Sequence, residues 1–205
     1  GVGNISGIGN QLDNTRSQSL AYDELNRLRQ SINSVYGTLI YSYDQIGNIL
    51  TKEGVSYTYG TRPHAVTSLN SVPAYSYDAN GNIISDALRG TSYTYDYDNM
   101  PLSTGNVSFT YDGTGKRVKK ISPSATTVYV DRLYECTNGV CAKYIFAGNA
   151  RIARKSGGLT LFYHSDHLGS TSIVTDAAGA VAEDINYAPF GTTRQDTGTV
   201  SLSHK

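Results

Sequence analysis

Short segments that alternate aromatic and small polar residues recur along the chain. Tyr41-Ser-Tyr43, Tyr75-Ser-Tyr77 and Phe109-Thr-Tyr111 follow this pattern. A period of two is typical of a β-strand, whose successive side chains lie on opposite faces of a sheet. An Asp-x-x-Gly segment follows each of them, in which Asp can accept backbone N–H groups and Gly can adopt a positive φ. Apolar pairs such as Ile83-Ile84 then begin the next strand, so the pattern predicts β-hairpins.

The predicted hairpin is an internal repeat. Its second aromatic position falls at residues 22, 43, 59, 77, 95 and 111, so successive copies lie 16 to 21 residues apart. Each copy holds too little core to stand alone and must stack on its neighbours. We therefore predict an all-β fold of stacked hairpins, a spiralling β-sheet that forms part of a shell or fibre, with the tyrosines in a ladder. The residues assigned a structural role in the repeat are Tyr22, Asp23, Tyr43, Asp44, Gly47, Asn48, Tyr77, Asp78, Gly81, Asn82, Tyr95, Asp96, Tyr111, Asp112 and Gly115.

One segment also fits a helix. Leu25, Leu28, Ile32 and Val35 have the spacing of an apolar helical stripe. The preceding Tyr22-Asp23 keeps the register of the repeat, as does Asn26. We therefore favour strand, turn and strand over a helix in this segment.

Charge and aromatic composition narrow the functional classes. Lys and Arg together number 17, as do Asp and Glu, so the formal net charge is zero. Binding to nucleic acid or to an anionic membrane surface needs a basic surplus, so neither is expected. No apolar run reaches the roughly 20 residues of a membrane-spanning helix. The 17 tyrosines, beside 4 Phe and no Trp, favour a thin sheet whose tyrosine hydroxyls stay in water.

The repeats and three C-terminal motifs resemble those of the YD-repeat, or RHS-repeat, family. The motifs are Tyr163-His-Ser-Asp-His-Leu-Gly-Ser170, Val174-Thr-Asp-Ala-Ala-Gly179 and Tyr187-Ala-Pro-Phe-Gly191, and Tyr144-Ile-Phe-Ala-Gly148 precedes them. They resemble the RHS-associated core of bacterial RHS polymorphic toxins, of the C components of ABC toxins, and of teneurins. We accordingly assign residues 1–127 to YD repeats and 128–205 to an RHS-associated core truncated at its C-terminal end.

The resemblance implies a β-strip that encloses a C-terminal effector, which an aspartyl autoprotease releases. The protease residues of the family lie in an Arg-Tyr-Tyr-Asp-Pro-like stretch and a later Asp-Pro-x-Gly, and neither occurs in this sequence. No catalytic residue is therefore assigned. Gly1-Val2-Gly3-Asn4-Ile5 matches the second half of a repeat, so we expect a fragment that opens inside a repeat.

His164, Asp166 and His167 are of types that bind metal ions. On an extended strand His164 and Asp166 share one face and His167 lies on the other, so at most two converge. A site needs three or four ligands, so we predict no metal and no cofactor. The resemblance instead implies a structural role for the core motifs. Their residues are His164, Asp166, His167, Leu168, Gly169, Asp176, Gly179, Pro189, Phe190 and Gly191.

Three carboxylates in the same region could act either as acid catalysts or as structural groups. Asp131, Asp176 and Asp184 lie in or near the core motifs. Asp176 belongs to another Asp-x-x-Gly segment, so turn capping is favoured there. No catalytic residue order or phosphate-binding loop accompanies them.

The two cysteines flank a hairpin turn. Asn138-Gly139 between two short strands is a strong signal for a two-residue type I′ turn. Cys136 would then face Cys141 in a non-hydrogen-bonded pair, with Cα atoms about 4.5 Å apart. We predict a disulfide, which is typical of an oxidising, extracellular setting. Free thiols and a metal site are the alternatives.

Three hypotheses for function remain. The first is a structural shell segment of a secreted or cell-surface RHS protein, carrying an effector outside this sequence. The second is a subunit of an extracellular fibre or adhesin built from the same repeats. The third, an enzyme such as an autoprotease fragment, is the least favoured. The expected partners are further YD-repeat sequence or copies of the chain, bound through edge strands, and an enclosed effector.

Overall fold

A computed structural model describes residues 2–198 and residue 200. It divides into a first unit, Gly1–Tyr93, and a second unit, Thr94–Lys205. Strands make up 57% of the described residues and helix 2%. Within each unit, neighbouring strands of the described residues pair in antiparallel fashion. This confirms the predicted all-β fold of successive hairpins.

In the first unit, eight strands follow one another in chain order and each is hydrogen-bonded to the next. They are β1 (Gly7–Ile8), β2 (Gln18–Tyr22), β3 (Leu28–Asn33), β4 (Gly37–Tyr43), β5 (Ile49–Lys52), β6 (Val55–Tyr59), β7 (Val66–Leu69) and β8 (Val72–Pro73). A second ladder contains β9 (Tyr75–Tyr77), β10 (Ile83–Asp86) and the beginning of β11 (Thr91–Tyr95). The boundary between the units falls inside β11.

In the second unit, the strands after β11 also lie side by side in chain order. They are β12 (Pro101–Thr104), β13 (Val107–Tyr111), β14 (Arg117–Ser122), β15 (Ala125–Asp131), β16 (Tyr134–Thr137), β17 (Val140–Ala147), β18 (Ala150–Ser156), β19 (Leu159–Ser165), β20 (Thr171–Thr175), β21 (Val181–Tyr187) and β22 (Thr193–Gly198).

The segment with helical spacing forms strands. β2 ends at Tyr22 and β3 begins at Leu28, so the predicted strand, turn and strand are confirmed. Leu25 and Val35 are 68% and 60% exposed, and therefore form no buried stripe. A short 3₁₀ helix occurs elsewhere in the described residues, at Asn14–Arg16, capped by the Asp13 side chain. No described helix has the length and apolarity needed to cross a membrane.

The two units bury different kinds of residue. In the first unit Tyr41 and Ala74 are buried together with the polar Ser31, Asn33 and Asp86. In the second unit an apolar cluster lies on one face of β19, β20 and β21. Its members are Leu161, Tyr163, Val174 and Ile185, with Ala182, Tyr187 and Val200 packed against it. The thickest apolar packing therefore lies among the last strands of the chain.

Candidate functional site

The Asp-x-x-Gly segments form one recurring turn, shown clearly at Asp44. Its Oδ1 accepts the backbone N–H groups of Ile46 and Asn48, at 3.0 and 2.8 Å. Its own N–H donates to the Asn48 carbonyl, and Gly47 N–H donates to the Asp44 carbonyl. Gly47 has φ 94°, a conformation that glycine adopts without steric cost. A register shift just before the turn accommodates this closed ring of hydrogen bonds.

The same turn recurs in both units, including the predicted core-motif region. In each copy the Asp side chain or backbone bonds the residue four positions later. The turns begin at Asp23, Asp78, Asp96, Asp112, Asp166 and Asp176. The YD repeat and the core motif thus share one structural element, as the Asp-x-x-Gly segment at Asp176 indicates in the sequence.

The Tyr187-Ala-Pro-Phe-Gly191 motif closes the same turn without an aspartate. Ala188 N–H donates to the Thr192 carbonyl, and Gly191 N–H donates to the Ala188 carbonyl, each at 2.8 Å. Gly191 has φ 82°. Pro189 is partly buried and Phe190 is exposed within this turn. This equivalence could not be recognised in the sequence, because the residue that identifies the turn, Asp, is replaced by Ala.

Tyrosine hydroxyls join neighbouring hairpins. Tyr43 donates its hydroxyl to the Leu28 carbonyl at 2.8 Å, and Leu28 is the first residue after the preceding Asp turn. The same kind of bond recurs, with the hydroxyls of Tyr22, Tyr59, Tyr77, Tyr111 and Tyr187 donating to the carbonyls of Ile5, Ile49, Val66, Pro101 and Thr171 at 2.7 to 3.0 Å. The sequence did not predict these bonds, in which the hydroxyls satisfy backbone acceptors between repeats.

In the first unit, each turn also contacts the next one. Arg27, at the end of the Asp23 turn, donates from its Nη1 to the Asp44 carbonyl of the next turn at 3.1 Å. Asn48 Nδ2 donates both to Asp44 Oδ2 and to the Pro63 carbonyl, at 2.8 and 2.7 Å. Arg62 then donates to the Ala79 carbonyl at 2.9 Å. Asn48 therefore links two repeats, beyond its predicted role within one turn.

These contacts stabilise the ionised form of turn aspartates. Side-chain and backbone hydrogen bonds from Asn82 lower the pKa of Asp78, and those from Thr114 lower the pKa of Asp112. The backbone N–H of Arg27 and then its guanidinium lower the pKa of Asp23. A carboxylate held ionised in this way accepts hydrogen bonds and is poorly suited to donate a proton.

The candidate metal and acid residues have structural contacts. Asp166 Oδ1 accepts the N–H groups of Leu168 and Ser170, both at 2.9 Å, while His167 and Leu168 are exposed in that turn. His164 Nε2 lies 3.1 Å from Thr175 Oγ1 on the neighbouring strand. Within the described residues no group of three or more His, Cys, Asp or Glu side chains could hold a metal ion.

The three candidate acid residues, Asp131, Asp176 and Asp184, also lie against neighbouring backbone or strands. Asp131 Oδ1 accepts the backbone N–H of Arg132 at 2.6 Å. Asp176 Oδ1 accepts those of Ala178 and Ala180, each at 2.9 Å, as turn capping predicts, and Gly179 has φ 83°. Asp184 pairs with Ile173 in the ladder between β20 and β21.

The cysteine hairpin joins β16 and β17. Cys136 faces Cys141 and Thr137 faces Val140, as the Asn-Gly turn predicts. Asn138 and Gly139 have φ 49° and 84°, the positive values of a type I′ turn. A disulfide joins the two cysteines, with Cα atoms 4.0 Å apart, somewhat closer than the expected 4.5 Å. Asn138 Oδ1 also accepts the Thr126 N–H, which connects this turn to β15.

Comparison with known proteins agrees with this architecture. No protein-family model matches the sequence. The chain is 27% identical, over 192 positions, to the tRNA3(Ser)-specific nuclease WapA of Bacillus spizizenii; the match covers 83% of this chain and 8% of that protein. The crystal structure of TcdB2-TccC3-Cdc42 superposes with a TM-score of 0.70 at 16% identity and covers 89% of this chain.

The chain corresponds to a small part of each of these proteins, since it covers 12% of the TcdB2-TccC3-Cdc42 chain as well as 8% of the nuclease. The structural match extends the likeness in fold over both units. The resemblance stated from the repeat motifs is therefore supported independently by a related sequence and by a shared fold. Together these observations show that the chain is similar in sequence and in fold to proteins of the kind that its YD-repeat, or RHS-repeat, motifs resemble.

Proposed function

We propose that this chain is a structural wall segment of a secreted or cell-surface RHS protein that carries a toxic effector outside these 205 residues. One observation supports this most directly: hydroxyls of repeat tyrosines bond the backbone of the preceding hairpin. Such bonds depend on backbone position and not on partner sequence. The same connection can therefore be repeated along a strip of any length.

The similarities favour a toxin-related protein over other YD-repeat proteins. The related sequence is named a tRNA3(Ser)-specific nuclease, and the chain matches 8% of it. The related structure is TcdB2-TccC3-Cdc42, of which the chain matches 12%. A wall segment shared by such different proteins is expected to support an effector without taking part in its chemistry. We accordingly propose no catalytic role and no cofactor for the chain itself.

Edge strands provide the means of attachment to further sequence. Among the described residues β22 has a ladder with β21 on one side, and β1 has one with β2. A strand with one unpaired side is a template for main-chain hydrogen bonds to another strand. We propose that further YD-repeat sequence pairs there, as the continuous ladder inside each unit does.

The test is sedimentation of the purified chain, with and without a separate polypeptide of the flanking YD repeats. The wall proposal predicts that the chain binds this polypeptide stoichiometrically and forms no long polymers. A chain that stays a soluble monomer at tens of micromolar and does not bind the flanking repeats would contradict the wall proposal. Linear polymers of the chain alone, seen by electron microscopy, would instead support the fibre or adhesin subunit, because head-to-tail contacts that do not close produce filaments.

A further inference from the structure

A cavity in the second unit is lined by arginines stacked on aromatic rings. Its volume is about 150 Å³, and it lies between the ends of β14 to β18. A cavity of about this volume in another protein holds a molecule the size of benzene. The lining residues are Arg117, Tyr129, Asp131, Arg132, Glu135, Tyr144, Phe146 and Arg151.

Ladder register places the lining side chains on one face of the sheet. Arg117 faces Tyr111, the tyrosine whose hydroxyl joins two hairpins. Tyr129 faces Glu135, and Phe146 faces Arg151. Because residues directly opposite in a ladder share a face, the cavity opens on the face that carries Tyr111, which we call the tyrosine face.

Two guanidinium groups in the lining lie over aromatic rings. The Arg117 Cζ lies 4.9 Å from the Tyr129 ring centre, and the Arg132 Cζ lies 4.8 Å from that of Phe146. Stacking uses the face of a guanidinium and leaves the N–H groups at its edge available. Neither of these two guanidinium groups makes a hydrogen bond or ion pair with a described residue, so their donors have no protein acceptor in the described part of the chain.

Asp131 does not neutralise Arg117 or Arg132. Asp131 Oδ1 accepts a backbone N–H, and no ion pair within 4.0 Å joins it to Arg117 or Arg132. Glu135 is 6% exposed, and its Oε1 accepts the Tyr144 hydroxyl at 2.7 Å. Three arginines against two carboxylates leave the lining with an excess of one positive charge.

We propose that this cavity binds a single carboxylate group on a short aliphatic stem, such as an acidic side chain of a polypeptide lying against the tyrosine face. A planar carboxylate matches the forked N–H groups of a guanidinium in size and geometry. The aromatic walls accommodate the stem. The site does not depend on whether the chain forms a shell or a fibre.

The test is an NMR titration of arginine Nε–H signals in the whole chain with butyrate. Saturable shifts are expected at Arg117 and Arg132, and none at the exposed Arg29 of the first unit. Butyramide, which is neutral and nearly the same shape, should give no saturable shift. Two results would overturn the proposal. One is that butyrate and butyramide shift these signals equally. The other is that the shifts do not saturate at butyrate concentrations up to about 100 mM, since weaker binding would not be specific.

Variants sharpen the assignment. Arg117→Gln combined with Arg132→Gln should weaken butyrate binding about tenfold or more, because charge-assisted bonds are lost. Arg29→Gln is the matched control and should leave binding unchanged. Asp131→Asn removes a repelling charge and should tighten binding severalfold.

A milder change protects the test against loss of folding. Arg132 lies in an exposed turn, so its replacement should not disturb the fold. Arg132→Lys keeps the positive charge but loses the forked N–H geometry, and it should weaken butyrate binding less than the double Gln variant does. Unchanged binding in both arginine variants would contradict the site. Tighter binding of inorganic phosphate than of butyrate would contradict the carboxylate assignment.

Discussion

The two units use the same Asp turn but stabilise it differently. In the first unit the turns are tied to one another through Arg27, Asn48 and Arg62, and the buried residues are largely polar. In the second unit Ile185 and Val174 are completely buried within an apolar cluster. Hydrogen bonds are the main observed link between repeats in one unit, and apolar burial adds to them in the other.

The difference shows how a thin repeat sheet can vary its stability along its length. A hydrogen bond contributes about 1 kcal/mol net, whereas burying a large aliphatic side chain contributes about 2 to 3 kcal/mol. The second unit should therefore resist local unfolding more than the first. A set of substitutions tests this comparison.

The largest effect is expected in the apolar cluster of the second unit. Ile185→Ala should lower the free energy of unfolding by about 3 kcal/mol, because it opens a cavity among Leu161, Tyr163 and Val174. Urea denaturation followed by circular dichroism measures the loss. Ile145→Ala is the matched control, because Ile145 is 41% exposed and its removal should cost less than about 1 kcal/mol. Equal losses would show that the cluster is not a core.

The covalent link of the second unit should have the next largest effect. Replacing Cys136 and Cys141 by Ala should lower the free energy of unfolding by about 2 kcal/mol, the value expected for a loop of this length. The wild-type chain purified without reductant should be lighter than the reduced chain by two hydrogen atoms. Free thiols in that material would remove the argument for an oxidising, extracellular setting.

A smaller effect should distinguish the hydrogen-bonded tyrosines from the packed ones. Tyr43→Phe leaves the Leu28 carbonyl without its donor and should cost about 1 kcal/mol. Tyr163→Phe should change stability by less than about 0.5 kcal/mol, because the Tyr163 hydroxyl makes no hydrogen bond to a described residue. Denaturation curves of the two variants provide the measurement. A larger loss at Tyr163 would reverse the comparison between the units.

Local sequence was sufficient to predict the hairpins. The alternation in Tyr41-Ser-Tyr43 and the Asp44 turn act over a few residues, and Asn138-Gly139 defines its own turn geometry. These features depend on neighbours in the chain, so one sequence is enough to recognise them. The strand, turn and strand around Leu25 followed from the same register.

Contacts between repeats could not be predicted in this way. The bond from Tyr43 to Leu28 spans 15 residues and depends on the register of two hairpins. The stacking of Arg117 on Tyr129 depends on adjacent strands in the same manner. The turn at Ala188 lacks the carboxylate that marks the others, although its backbone bonds are the same. The Asp side chain therefore marks the turn in the sequence, but the backbone hydrogen bonds of the turn form without it.

This last point gives the smallest and sharpest prediction, a comparison of the Asp78 turn with the Ala188 turn at low pH. Hydrogen bonds from Asn82 lower the pKa of Asp78 below the roughly 3.9 of an unfolded aspartate. A lowered pKa means that the ionised form stabilises the folded state. That contribution is complete above about pH 4 and is lost as the pH falls through the folded pKa.

Hydrogen-exchange protection factors of Asn82 and Gly81 should therefore decrease below about pH 4, whereas those of Ala188 and Gly191 should not follow the same titration. The effect will be small, because an exposed carboxylate is well screened by water. Ala188→Asp should transfer the acid sensitivity to the Ala188 turn, and Asp78→Asn should remove it from the Asp78 turn. If both turns lose protection together in the unmodified chain, the acid response is global unfolding, and the Asp78 carboxylate does not set the local difference between the two turns.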